Sequence, residues 1–177
     1  VIAVFDITAP EQGSTPVVKA EETTPITWTN KGSGVTSVVL QYSTNGGSSY
    51  DYVNPTPPYT VDNSNTYNWL VPAGPLSSSC KIKIYDPNNT NAYNIGAGSF
   101  KIEGSLTVTS PNDGTESWKV TETHPITWTK KGNISTVALY YSTNSDTGPF
   151  NAIPGASGIS AGDLSWSWNI PANTPLT

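Results

Sequence analysis

An all-β protein of two tandem antiparallel domains is predicted by three observations on this sequence. The pentapeptide Pro25-Ile26-Thr27-Trp28-Thr29 returns as Pro125-Ile126-Thr127-Trp128-Thr129, 100 residues further on. Apolar and polar residues alternate with period two through most of the chain, and no window sustains a helical period. Clusters of Gly, Pro, Asn and Asp interrupt the alternation about every ten residues, as turns between short strands do.

The surroundings of the pentapeptide return with it. Ile7-Thr8-Ala9-Pro10 matches Val108-Thr109-Ser110-Pro111, and Lys19 and Glu22 match Lys119 and Glu122. Tyr42-Ser43-Thr44-Asn45 matches Tyr141-Ser142-Thr143-Asn144, and Trp69-Leu70-Val71-Pro72-Ala73 matches Trp168-Asn169-Ile170-Pro171-Ala172. The offset stays between 99 and 101, so the chain is a tandem array with domains at 1–103 and 104–177. Residues 76–102 of the first copy, which hold Ile82, Ile84, Phe100 and Ile102, have no counterpart after Leu176. The second domain is therefore expected to be truncated before its last two strands, leaving a sheet edge that recruits them from a continuation of the chain or a neighbouring subunit.

Element by element, the first copy reads as strands at 4–9, 16–21, 24–30, 35–43, 49–54, 65–71, 79–86 and 97–103. The second reads as strands at 105–110, 117–122, 124–130, 134–142, 149–153 and 164–170. Alternation assigns the faces. In 24–30, Ile26 and Trp28 share one face; in 35–43, Val38, Leu40 and Tyr42; in 65–71, Tyr67, Trp69 and Val71. In 79–86, Cys80 alternates with Ile82 and Ile84, opposite Lys81, Lys83 and Tyr85, so this lone cysteine points into the core. The second copy keeps the pattern with Ile126 and Trp128, with Val137, Leu139 and Tyr141, and with Trp166, Trp168 and Ile170. About seven short strands per copy indicate a two-sheet sandwich of the immunoglobulin or fibronectin-like type. The junction Ile102-Glu103-Gly104-Ser105-Leu106 is short enough to predict a semi-rigid rod.

Composition narrows the function. Only 12% of the 177 residues are charged and the net charge is −5, which excludes the dense cationic contacts of nucleic-acid binding. All eight basic residues are lysines; without arginine the planar fork that grips carboxylates and phosphates is missing. No stretch reaches the roughly 18 apolar residues of a membrane span. Glycoside hydrolysis needs two facing carboxyl groups. Asp51, Asp62 and Asp86 have no acidic counterparts in the second copy, so they read as solvated loop charges, as do Glu22 and Glu122. The single histidine, His124, stands where the first copy has Thr24, and with one cysteine in the chain neither a zinc site nor a nucleophile triad can be assembled. No catalytic, cofactor or metal residue is assigned.

Several motifs carry local meaning. Ser43-Thr44-Asn45-Gly46-Gly47-Ser48-Ser49-Tyr50 has the spacing of an Asp-box hairpin, with Asn45, Ser49 and Tyr50 in place of Asp, Thr and Trp; its content is a tight turn, not catalysis. The second copy blurs it as Ser142-Thr143-Asn144-Ser145-Asp146-Thr147-Gly148-Pro149-Phe150. Segments 86–91 and 112–114 are oxygen-rich loops without the regular ligand spacing of a calcium site. Asn88-Asn89-Thr90 and Asn133-Ile134-Ser135 match the N-glycosylation acceptor, at Asn88 and Asn133. Tyr50, Tyr52, Tyr59 and Tyr93 are candidates for stacking on sugar rings.

The run from Ile7-Thr8-Ala9-Pro10 through the Ile26-Thr27-Trp28-Thr29 strand, Tyr42-Ser43 and Trp69-Leu70-Val71-Pro72 to Lys81-Ile82-Lys83-Ile84-Tyr85-Asp86 resembles an extracellular repeat. It is similar to the Ser/Thr-rich, often GPI-anchored immunoglobulin-like domain of the Kre9/Knh type, and to "ITWT…YSxDGG" repeats of bacterial surface proteins. The resemblance implies a secreted or surface-displayed array with no catalytic residues. The expected function is a non-enzymatic structural segment of a stalk, surface layer, filament or matrix, partnered by neighbouring repeats or subunits. The alternative is a carbohydrate-binding or adhesion module, partnered by cell-surface polysaccharide and appended to a polysaccharide-degrading enzyme.

Overall fold

The computed structural model describes residues 3–10, 16–144 and 146–175. The chain divides into two compact units, Val1–Gly104 and Ser105–Thr177. Unit 1 runs through β1 (Val4–Ala9), β2 (Val17–Lys19), β3 (Thr23–Lys31), β4 (Ser37–Ser43), β5 (Asp51–Tyr52), β6 (Thr60–Asp62), β7 (Thr66–Leu70), β8 (Ser77–Asp86), β9 (Asn89–Ile95) and β10 (Phe100–Glu103). Unit 2 runs through β11 (Ser105–Ser110), β12 (Thr123–Lys131), β13 (Thr136–Tyr141), β14 (Asn151–Ser160), a single 3-10 turn at Ala161–Asp163, and β15 (Ser165–Asn169). The fold is all-β, and its pairings are antiparallel except β2 with β10.

In unit 1 the sheet β1-β3-β7 faces the larger sheet β2-β10-β8-β4-β5, to which β6 adds beside β4 and β9 beside β8. The predicted faces meet between them. Ile7, Ile26, Trp28 and Trp69 from the first sheet pack in one cluster with Val38, Leu40, Cys80, Ile82, Ile84, Phe100 and Ile102 from the second. Cys80 is fully buried, and burial pushes its thiol upward, so it behaves as a small apolar side chain.

Unit 2 repeats the smaller sheet with the same register. Val108 lies opposite Trp128 as Ile7 lies opposite Trp28, and Ile126 opposite Trp166 as Ile26 opposite Tyr67. The backbone repeats as well. Trp28 N–H donates to Asn65 O and Trp128 N–H to Leu164 O, both at 3.1 Å. Glu21 and Thr121, at the same point of the repeat, both take a positive φ, of 60° and 68°. The indole N–H groups are satisfied by different means: Trp28 Nε1 donates to the Asn63 side chain at 2.9 Å, Trp128 Nε1 to the Ala161 carbonyl at 3.1 Å.

Leu164 occupies the left-handed position that Asn65 takes in unit 1, with φ 57° against 66°. Asparagine tolerates this region and leucine does not. Its side chain is 43% exposed and contributes little packing. Leu164→Asn is therefore expected to stabilise unit 2 by ~1 kcal/mol; a urea midpoint that falls would contradict this.

Four expectations about elements are corrected. No strand forms at 117–122, because its unit 1 counterpart β2 exists by pairing with β10, and the described part of unit 2 holds no strand in that place. Segment 86–91 is not an open loop: Pro87 and Asn88 make a tight turn between β8 and β9, with Asp86 opposite Asn89. Asp86 is only 9% exposed rather than solvated, and its Oδ1 accepts the Asn88 N–H at 2.8 Å, closing that turn. Residues 149–153 extend into the ten-residue β14, which alone covers the edge of β13 that β5 and β6 together cover on β4. Ser145 and Leu176, which entered the reading of the second hairpin and of the repeat's end, lie outside the described residues.

Candidate functional site

Two surfaces stand apart from ordinary strand chemistry. The first is the outer face of the large sheet in unit 1. Cross-strand partners share a face, and the register sets Gln41 of β4 beside Tyr52 of β5 and Lys83 of β8. One step along, Val39 lies between Thr60 of β6 and Tyr85 of β8, and Tyr85 lies beside Tyr93 of β9. The opposite face carries the buried Leu40, Ile82 and Ile84, so these tyrosines face away from the core.

Tyr59 joins them from the loop before β6. Its backbone is held at φ 65° while its N–H donates to Thr56 O at 2.8 Å, and its ring stacks on Tyr52 with centroids 4.3 Å apart and planes 13° apart. The Lys83 ammonium lies 5.5 Å from the Tyr50 and Tyr85 ring centroids and 5.7 Å from that of Tyr93. Such distances give cation–π attraction. Burial is the main cause of an upward shift at the Tyr85 phenol, with the nearby Tyr52 phenol adding to it. The phenol thus stays neutral across the physiological range. Lys81, on the same strand, is committed elsewhere, donating to the carbonyls of Gly96, Ala97 and Gly98.

All four tyrosines singled out from the sequence therefore fall on or beside one face. Gln41, Lys83 and Tyr85 complete it and were missed. Lys83 and Tyr85 alternate opposite Cys80, Ile82 and Ile84 in the sequence, but no strand is predicted between 86 and 97, so nothing there places Tyr93 next to Tyr85.

The second surface is a cleft of about 430 Å³ in unit 2, lined by Trp118, Val120, Ile126, Leu139, Tyr141, Ile153, Trp168 and Ile170 among others. The corresponding space in unit 1 is filled by Cys80, Ile82, Ile84, Phe100 and Ile102 from β8 and β10. Trp168 Nε1 is buried there, with no hydrogen-bond partner among the described residues. Trp118 stacks on His124 with centroids 4.6 Å apart and planes 3° apart. Trp118 and His124 occupy the positions of Val18 and Thr24, so a larger aromatic pair lies along this margin of the cleft.

His124 is not idle. Its Nε2 lies 2.8 Å from Glu122 Oε2, which also accepts the Lys119 N–H at 3.1 Å. These bonds, the histidine's first, hold the Glu122 carboxyl below the ordinary glutamate range. A depressed folded pKa contributes stability that is present above the unfolded value and lost as pH falls through the folded one. His124→Thr is expected to return the Glu122 midpoint upward in an NMR carboxyl titration; an unchanged midpoint would show that the histidine bond does not govern it.

The remaining candidates are placed as follows. Asn88, at the β8–β9 turn, and Asn133, between β12 and β13, are both exposed. The Asp-box-like turn is knit by Ser43 and Asn45: Gly47 N–H donates to Ser43 Oγ at 2.9 Å and Ser49 N–H to Asn45 Oδ1 at 2.9 Å. Gly47 is required there, with φ 97° and the Tyr50 hydroxyl 3.0 Å from where a Cβ would stand. In the 112–114 loop, Glu116 accepts the Asn112 and Gly114 N–H groups at 2.6 and 3.0 Å, so its carboxylate is turned to backbone donors. Among the described residues no three His, Cys, Asp or Glu side chains converge as metal ligands, and no helix is long and apolar enough to cross a membrane.

No known protein family matches the chain, and no curated protein matches it either. The two surfaces must therefore be read from their own chemistry. The cleft can bury apolar side chains and extend a sheet; the tyrosine face can stack on a flat, weakly polar ligand.

Proposed function

We propose that the protein is a non-enzymatic structural module, a pair of immunoglobulin-like β-sandwich repeats in a secreted or surface-displayed protein. The observation that supports it best is the duplicated framework. The tryptophan strand, its two sheet neighbours, the positive-φ residues and the connecting hydrogen bonds recur in both units, whereas hairpins and outer faces diverge. A scaffold needs a repeated core and tolerates divergent loops, whereas catalytic residues are disproportionately carried on loops, which would then have to be kept. The likeness to Kre9/Knh-type and bacterial surface repeats agrees with this reading and supplies the extracellular setting.

The partners of such a module are neighbouring repeats or subunits. The cleft of unit 2 favours this, because the open edge of β13 and the apolar wall behind it match what β8 and β10 cover in unit 1.

Single-molecule pulling on the chain tests the mechanical role. Unit 1 is expected to yield in one rupture that releases about 100 residues, roughly 30–35 nm at ~3.5 Å per residue. Smooth extension without a rupture peak would overturn it. Surface proteolysis of the source cells tests the setting, with release of the protein expected and full protection contradicting it.

A further inference from the structure

We infer that the tyrosine face of unit 1 is a binding platform for a neutral polysaccharide chain, a role beyond that of the scaffold. The outer face of a two-layer antiparallel fold is ordinarily polar. Here Tyr93 is 56% exposed and Ile95 41%, two residues apart on β9, and Tyr52 is 39% exposed at the far end of the row Ile95–Lys83–Gln41–Tyr52 on the same sheet. Clustered exposed apolar surface of this kind marks an interaction site.

The face is also organised before any ligand arrives. Tyr59 is held in a left-handed backbone conformation that an aromatic residue seldom takes, and this conformation lays its ring against Tyr52. One ammonium, Lys83, serves the Tyr50, Tyr85 and Tyr93 rings at once. Rings fixed in this way lose little further freedom when a ligand docks.

The chemistry selects the occupant. Tyrosine rings present flat apolar area with a polar rim, suited to the C–H faces of pyranose rings. Lys83 and the Gln41 amide stand between the rings as hydrogen-bond donors to sugar hydroxyls. No carboxylate among the described residues ion-pairs with Lys83. A single ammonium on a chain of net charge −5 that has no arginine does not favour a polyanion, so the glycan is neutral. Strands lie about 4.8 Å apart, and three such spacings separate β5 from β9. This open stretch of about 14 Å fits several consecutive sugar rings, not one enclosed monosaccharide.

Unit 2 supplies an internal control. Ala152 stands at the position of Tyr52, and β14 runs straight through the place of the Tyr59 loop. The framework is shared and the platform is not.

Affinity electrophoresis of the whole chain through gels containing hydroxyethyl cellulose, laminarin or polygalacturonate tests the proposal. Retardation is expected in at least one neutral gel. Tyr93→Ala and Tyr52→Ala are expected to weaken it about fivefold to tenfold, while Tyr140→Ala on unit 2 leaves it unchanged. Melting temperatures matched to the parent chain establish that the variants remain folded. Absence of retardation in both neutral gels, retardation in polygalacturonate alone, or equal retardation of the folded Tyr93→Ala variant would each overturn the proposal. The scaffold reading stands or falls separately, on the pulling experiment.

Discussion

Replacing Trp28 with alanine is expected to destabilise unit 1 by ~3–5 kcal/mol, and the same change at Trp128 to destabilise unit 2 by a comparable amount. Both indoles are nearly inaccessible, at 2% and 4% exposure, and each sits in the middle strand of a three-stranded sheet. Truncation removes the ring, leaves a cavity that rigid strands cannot close, and takes away the indole N–H donor, whose acceptor is buried in unit 2. In unit 2 the orphan would be the Ala161 carbonyl; in unit 1 the half-buried Asn63 Oδ1 loses the indole donor but keeps a 3.2 Å bond from Asn30. Domains of this size are stable by about 5–15 kcal/mol, so a loss of this size moves each toward its unfolding threshold. Urea denaturation followed by near-UV circular dichroism measures it. A cost below about 1 kcal/mol at either position would show that the tryptophan does not anchor its core.

Unit 2 is expected to melt first, and grafting a copy of Ser77–Glu103 after Thr177 is expected to raise its melting temperature by roughly 10 °C, at 4–8 °C per kcal/mol. Among the described residues the core of unit 1 contains 19 buried apolar residues and that of unit 2 contains seven. Val137, Leu139 and Tyr141 are only half-buried, whereas their counterparts Val38, Leu40 and Tyr42 are buried beneath β8. The grafted strands would lay the apolar side of β8 over them, each large side chain contributing about 1.5–3 kcal/mol on full burial. Ordering the graft costs much of that gain, which is why the net shift is modest. Calorimetry of the parent and grafted chains resolves the two transitions. An unchanged lower transition would mean that the cleft does not accept this strand pair.

Much of the fold was legible in advance because it rests on local pattern. Alternation placed Ile26, Trp28, Leu40, Trp69, Cys80, Ile82 and Ile84 on inward faces, and each is buried. The turn chemistry of Ser43 to Tyr50 was equally plain, since Asn-Gly-Gly dictates positive φ without help from the rest of the chain. The failures share one cause. Residues 117–122 alternate like a strand and form none, while 89–95 is rich in asparagine and forms one. A strand is decided by its partner: β9 exists because β8 offers an edge, and among the described residues nothing in the place of β10 pairs with the counterpart of β2.

The same division holds for the surfaces. By itself the sequence determined the all-β character, the 100-residue repeat, the core-facing residues, and the absence of arginine that steers the chain away from anionic ligands. Only the tertiary structure decided that Tyr52, Tyr59, Tyr85 and Tyr93, scattered over four segments, gather with Lys83, and that the wall of unit 2 stands open where that of unit 1 is filled. The physical reason is range. Alternation and turn preference act over a few residues, but which strands become neighbours depends on hydrogen-bonded register between segments tens of residues apart, and that register brings side chains together into a site.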